Sequence, residues 1–369
     1  MRQLKYNKIL DNLSRCERCG LCLGACPLYS IDKIESSSPR GKIHTLDKIR
    51  KASISEKLIN NCLLCNSCKK VCPNNVDVPE VVRLFREDNR LARPIYFVLK
   101  LIQIRRFKGL RAISNLVSSG EKIGGFIKLL RLARSMPKVE NVGVFYNDLI
   151  TDKSVGLFTG CISPIFYANI IELIVRLYKD RGFNVYVPTD QVCCGLMNIS
   201  AGDRDSAVRL GKQNIELFSS EKIEKVITPC ASCAYMLREY SKIIPNGDAL
   251  SNKVVTIDDL MFEQIKSNDI CDKVAIHIPC HIRNLDDKAV YKMLKSVKNV
   301  KIIDSCCGYG GIFNFYDYKK SIEIGERIFR DIEGIKEIYT FCSGCFLHFY
   351  DIIQKNRINV GVKNLFELV

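Results

Sequence analysis

Eighteen of the nineteen cysteines in this 369-residue chain fall into two pairs of patterned clusters, and only Cys271 stands outside them. The first pair is Cys16-x2-Cys19-x2-Cys22-x3-Cys26-Pro27 and Cys62-x2-Cys65-x2-Cys68-x3-Cys72-Pro73. The second pair is Cys161…Cys193-Cys194-Gly195…Cys230-x2-Cys233 and Cys280…Cys306-Cys307-Gly308…Cys342-x2-Cys345. Clustered thiols of this kind read as metal-binding rather than as a disulfide framework in the reducing cytoplasm, the compartment expected here. The opening residues, Met1-Arg2-Gln3-Leu4-Lys5-Tyr6, are polar and helix-like, with no apolar core or small-residue cleavage site. A cytoplasmic protein is therefore expected, at most peripheral at the inner face of a membrane. Lys or Arg interrupts every apolar run that could span a bilayer.

The run C-x2-C-x2-C-x3-C-P is the bacterial ferredoxin pattern. Three closely spaced thiolates hold one [4Fe–4S] cube, and the fourth Cys, before Pro, reaches the other cube. The spacing thus assigns one cluster to Cys16, Cys19, Cys22 and Cys72, and the other to Cys62, Cys65, Cys68 and Cys26. Tetrahedral zinc sites use two well-separated ligand pairs, which is not the spacing here.

Four regions are expected: a two-cluster ferredoxin-type domain over 1–88, a basic helical linker over 89–150, and two modules over 151–250 and 251–369. The formal charge of +16 is concentrated in the linker, where residues 89–138 hold twelve Lys and Arg against Glu121 alone. Such a segment suits an anionic membrane surface or an acidic partner subunit. No recognisable nucleic-acid module accompanies it, so nucleic acid is not expected as a partner.

The two modules read as a duplication. Each begins with an apolar run ending at a Cys, Val155 to Cys161 and Val274 to Cys280. Each has a second run before the double Cys, Asn184 to Pro188 and Val300 to Ile303, then a helix, Asp205 to Phe218 and Tyr318 to Phe329. A third run delivers the closing pair, Lys225 to Cys230 and Glu337 to Cys342. Alternating β-branched runs and helices predict parallel β/α units. Ligands in such sheets sit beyond the C-terminal strand ends, where five thiols per module can converge. The fold class expected is therefore α+β, with an all-α ferredoxin-like N-terminal domain followed by duplicated α/β modules.

Both modules resemble the cysteine-rich CCG domain of heterodisulfide reductase catalytic subunits and of glycerol-3-phosphate dehydrogenase and glycolate oxidase iron–sulfur subunits. Across nearly its full length the chain is similar to the glycolate oxidase and lactate dehydrogenase type of iron–sulfur subunit. The resemblance rests on Ser38-Pro39-Arg40-Gly41-Lys42-Ile43, Leu157-Phe158-Thr159-Gly160-Cys161, Pro279-Cys280-His281 and Cys306-Cys307-Gly308. It implies further clusters, open noncubane [4Fe–4S] in type, at Cys161, Cys193, Cys194, Cys230 and Cys233 and at Cys280, Cys306, Cys307, Cys342 and Cys345. Zinc in one module is the rival occupant.

The resemblance also implies an electron-transfer subunit that takes electrons from an FAD-containing 2-hydroxy-acid dehydrogenase subunit, acting on glycolate or D-lactate, towards a quinone or membrane cytochrome. The alternative is a heterodisulfide reductase-like subunit that itself reduces a disulfide. Both closing pairs are intact here, whereas glycolate oxidase-type subunits often lack the first Cys of that pair, and this keeps disulfide chemistry open. No flavin or nicotinamide fingerprint appears in the chain, which fits hydride chemistry on a partner.

Among the remaining residues, His281 reads as a packing or capping side chain beside Cys280. His44, His277 and His348 show no ligand spacing. Gly308-Tyr309-Gly310-Gly311 lacks the Lys-Ser/Thr ending of a phosphate loop, and its glycines suit close backbone approach. Cys271 reads as an incidental thiol, and Arg40 as a seal on the polar connector around residues 36–41.

Overall fold

The computed structural model describes residues 2–48, 58, 60–88, 145–267, 273–285 and 288–368. The basic stretch 89–138 and Cys271 lie outside the described residues. The chain divides into two compact units. One comprises Met1–Arg93, Met197–Arg204 and Cys306–Asp331; the other comprises Pro94–Leu196, Asp205–Ser305 and Ile332–Val369. Among the described residues no helix is long and apolar enough to cross a membrane.

In the first unit, residues 2–88 form helices Arg2–Ser14, Leu21–Gly24, Pro27–Asp32, Pro39–Lys48, Ser67–Lys70 and Val78–Asp88, with a 3-10 turn at Glu35–Ser37 and, among the described residues, no strand. Helix Val78–Asp88 shows how the local sequence sets its start. Asp77 accepts from Glu80 N at 3.0 Å as the N-terminal cap, and Val78, Val81 and Val82 recur at helical spacing and are buried. They pack with Ile9, Ile43, Leu46, Val76 and Leu84 into a core against which Cys16, Cys22, Cys62 and Cys72 are laid.

The connector expected around residues 36–41 is in fact the start of a helix. Ser38 Oγ accepts from Gly41 N at 2.8 Å, and Pro39 occupies the first helical position, where its missing N–H costs nothing. Gly41 is forced by space, since a Cβ there would lie 1.9 Å from Glu35 O. Arg40 ties the turn to the first cysteine loop, with Nε 2.8 Å from Glu35 Oε1 and Nη1 donating to Arg18 O at 3.2 Å.

The second unit holds two parallel four-stranded sheets. Strands β1 (Ser154–Leu157), β2 (Asn184–Tyr186), β3 (Ile223–Ile227) and β4 (Val254–Val255) run in the order β2-β1-β3-β4. Strands β5 (Val274–His277), β6 (Val300–Ile303), β7 (Glu337–Thr340) and β8 (Gly361–Asn364) run in the order β6-β5-β7-β8. All pairings are parallel. The first-entering strands β1 and β5 are buried along their whole length, as expected for parallel sheets covered on both faces. The three expected strands of each half are present. Each half adds a fourth, β4 and β8, whose sequences are too short or too polar to announce themselves.

Candidate functional site

The two ferredoxin-like runs form the same loop twice. Backbone φ is left-handed at Arg18 (60°) and Gly20 (86°) in the first, and at the equivalent Leu64 (54°) and Asn66 (59°) in the second. These reversals curl each loop so that its three cysteines face inward. One cavity, of about 450 Å³ and partly open to solvent, is lined by Cys16, Cys19, Cys22, Cys68 and Cys72. A second, of about 360 Å³, is lined by Cys26, Cys62, Cys65 and Cys68. Each loop therefore contributes three thiols to one cavity and the Cys-Pro of the other run joins them, while Cys68 lines both cavities.

Burial is the largest influence on Cys22, Cys26 and Cys68. It pushes Cys26 up to about 11, against the opposing hydrogen bond from Tyr29 N. Cys68 is pushed well up by burial and by the neighbouring thiols Cys65 and Cys62. Four thiolates could not share such a space without a positive centre to offset them, and a bound metal must displace their protons. Iron–sulfur clusters fit this donor set. Among the described residues no three His, Cys, Asp or Glu side chains converge as ligands of a single metal ion; the cysteines ring a volume instead.

Two buried cations, not anticipated from the sequence, stand near the second set of cysteines, one lining the cavity and one bonded to the Cys62 carbonyl. Lys42 is 2 % exposed, lines the cavity and donates from Nζ to Ser37 O. Arg86 is fully buried and donates to Ser200 O at 2.8 Å, Asn60 O at 3.2 Å and Cys62 O at 2.7 Å. Burial presses its guanidinium down to about 10, still charged at neutral pH. In the same unit Cys306 packs against Leu28, Leu63, Phe313 and Ile324, with Cys26 and Cys65 alongside. The Cys65 thiol lies within hydrogen-bonding reach of Cys306, and that contact, then burial, drives Cys65 well up.

In the second unit the five cysteines of the first module converge at the C-terminal ends of β1 and β3 and on the loop after β2. Cys161 and Cys194 both donate to Cys193, which lowers Cys193 well below its ordinary range. Cys233 lies within hydrogen-bonding reach of both Cys194 and Cys230, and these contacts, with burial, raise its thiol well above its ordinary range. The closing pair owes its geometry to a helix start: Cys230 is the N-terminal cap of helix Ala231–Ile243, so the x2 spacing puts Cys233 at the third helical position on the same end. Cys342 caps helix Ser343–Asn356 in the same way. Of these closing sulfurs Cys230 is lowered well below its ordinary range, chiefly by hydrogen bonds from Cys233 and Cys342, and the positive end of its helix acts in the same direction.

The two closing pairs meet. Ala231 N donates to Phe341 O at 2.7 Å, Ser343 N donates to Cys230 Sγ at 3.5 Å, and the Cys342 thiol donates to Cys230. Cys280, Cys342 and Cys345 belong to this unit, whereas Cys306 and Cys307 belong to the first.

Several supporting residues carried no motif. Asn214 Nδ2 donates to Cys193 O at 3.3 Å and Tyr240 Oη donates to Cys194 O at 2.8 Å, fixing the backbone of the double Cys. Tyr167 is 2 % exposed, with a hydroxyl that has no hydrogen-bond partner and an environment that includes Cys230, Cys342 and Cys345. An orphaned donor beside three thiols is what a sulfur-rich group bound there would satisfy. Ser163 Oγ is likewise buried and unpartnered. His281 packs against Tyr235 with ring centroids 5.1 Å apart, and burial pushes it down to about 4.

Residues 15–77 match a 4Fe-4S dicluster domain, and residues 155–238 and 274–350 each match the cysteine-rich CCG domain. The chain is 25% identical to a probable glycolate oxidase iron-sulfur subunit of Bacillus subtilis, over 98% of this chain and 94% of that one. It is 26% identical to a fumarate reductase (CoM/CoB) subunit of Methanothermobacter marburgensis, over 97% and 72% respectively. It is 27% identical to lactate utilization protein A of Shouchella clausii, over 58% and 98%. The chain belongs to the iron–sulfur proteins that join a 4Fe-4S dicluster domain to two cysteine-rich CCG domains.

Proposed function

We propose that the chain is the electron-transfer subunit of a multi-subunit oxidoreductase. Its helical N-terminal region acts as an all-α two-cluster ferredoxin domain, with Cys16, Cys19, Cys22 and Cys72 holding one [4Fe–4S] cube and Cys26, Cys62, Cys65 and Cys68 the other. The observation that carries this reading is the pair of interleaved thiol-lined cavities. Clusters of this class take up and release electrons at potentials set by charge, hydrogen bonding and exposure. The Cys65–Cys306 contact continues the thiol path from the second cavity to the double Cys of the second CCG module.

The chain's own residues hold and insulate these centres and carry no hydride chemistry. That step falls to a separate FAD-containing subunit oxidising glycolate or D-lactate, with a quinone or membrane cytochrome as the onward acceptor. The relatives named for glycolate oxidase and lactate utilization support this direction. Cys161, Cys193, Cys194, Cys230 and Cys233 hold a further, noncubane cluster. By the matching strand order, Cys280, Cys306, Cys307, Cys342 and Cys345 hold its counterpart.

Affinity isolation of the tagged chain from its own cells under anaerobic conditions tests this. Co-isolated FAD, with glycolate- or lactate-dependent dye reduction, is the expected result. An isolate without flavin that reduces a small-molecule disulfide would favour the second reading, in which this chain is itself a disulfide reductase. That reading draws on the contact between Cys230 and Cys342, which sets the closing pairs of both modules side by side.

A further inference from the structure

We propose that Lys42 sets the order of the two N-terminal centres, making the one at Cys26, Cys62, Cys65 and Cys68 the more readily reduced. The inference rests on the reading that both thiol-lined cavities hold clusters. It starts from an asymmetry in how the cavities are charged. Lys42 lines only the second cavity, is almost wholly buried, and donates to a carbonyl, Ser37 O. Among the described residues no carboxylate forms an ion pair with it. Arg86 adds a second buried cation against Cys62 O at 2.7 Å.

The first cavity has cations of a different kind. Arg15, Arg18 and Arg40 line it together with Glu17. Arg15 is paired with Asp11 at 2.9 Å and Arg40 with Glu35 at 2.8 Å, all of them reached by solvent. A charge in water is damped several-fold relative to the same charge in a protein interior, and salt screens it further. Reduction adds one negative charge to a centre, with no bond made or broken and no proton moved. Buried Lys42 therefore stabilises the reduced state at the second site, while the arginines that solvent reaches do much less at the first.

The consequence is directional. The second site is also the one whose Cys65 touches Cys306. An electron entering at the exposed Cys19 end meets the higher-potential site next, beside the CCG cysteine, so Lys42 biases flow inward. Lys42 belongs to the Ser38-Pro39-Arg40-Gly41-Lys42-Ile43 stretch, and the helix start there is what delivers its ammonium to this cavity.

The test is an EPR-monitored redox titration of the full chain, purified anaerobically, with each N-terminal signal assigned by its loss or alteration in Cys19→Ser and Cys65→Ser. In the wild type, the signal that Cys65→Ser alters should have the higher potential; the opposite order overturns the proposal even if no Lys42 variant can be made. Lys42→Met should lower that one potential by at least tenfold in the reduction equilibrium, about 59 mV for a one-electron couple. Lys42→Gln, which keeps a donor for Ser37 O but no charge, should do the same. Full iron content with neither signal moved, or with both moved equally, overturns the role of Lys42. Wild-type chain that binds no iron at these cysteines would instead overturn the cluster reading, and the proposal with it.

Discussion

Ser232 Oγ stands 3.0 Å from Cys342 Sγ and 3.4 Å from Cys230 Sγ, so one hydroxyl links the closing cysteines of both CCG modules. Two sites that share a hydrogen-bonding group cannot be perturbed one at a time. Cys230→Ala and Cys342→Ala are therefore expected to lose overlapping iron, with the double variant losing less than the two singles together. Ser232→Ala keeps every thiol and should still alter the EPR signals that both cysteine variants affect. Strictly additive losses, with no change in Ser232→Ala, would show that the modules are independent.

Arg86 makes a second prediction. Its guanidinium serves three carbonyls from separate stretches of chain, Asn60, Cys62 and Ser200. Arg86→Met fills much of the same space and removes all three bonds, which should cost at least about 3 kcal/mol. Chemical denaturation should show a lower midpoint, and iron should leave faster under chelator challenge. Arg86→Lys should fall between the two, because an ammonium cannot span three acceptors in a fixed fork.

His277 supplies a pH dependence. It is fully buried, and the Ser305 carbonyl 3.0 Å from Nε2 can only accept, so Nε2 carries the proton and Nδ1 accepts from Thr340 Oγ1 at 3.1 Å. Burial pushes its folded value down to about 3, against about 6.5 in an unfolded chain. The unfolded state binds a proton first as pH falls, so the contribution is complete above about 6.5 and is lost progressively between there and about 3. The loss from pH 6.5 to 4.5 should be about 2 kcal/mol. Comparing the pH dependence of stability in wild type and His277→Asn measures it; identical slopes would contradict it.

The cysteine spacings and the duplicated strand–helix runs were legible because both are local patterns. The closing Cys-x2-Cys is a helix cap followed by the third helical position, and β-branched runs stop where the pattern says they stop. The start of helix Pro39–Lys48 was also written in the sequence, as Ser38 followed by Pro39, although the serine-rich stretch before it reads as connector. Other features depend on packing. Lys42 and Arg86 are residue types that usually face water, and nothing local marks them as buried. The contact of Cys65 with Cys306 joins residues 241 positions apart, a pairing that spacing within each motif cannot express. Strands β4 and β8 form because a neighbouring strand edge is there to pair with, not because Val254-Val255 or Gly361–Asn364 demands it.

Two interleaved cubes on the N-terminal cysteines fix how much iron and sulfide the chain holds. Their presence is tested most directly by iron and acid-labile sulfide analysis of chain purified anaerobically, in wild type and in Cys22→Ala and Cys68→Ala. About eight irons or more per wild-type chain with matching sulfide are expected, with a loss of about four in each variant and a distinct EPR signal removed each time. One or two zinc atoms per chain, with no sulfide, would contradict the two-cube assignment.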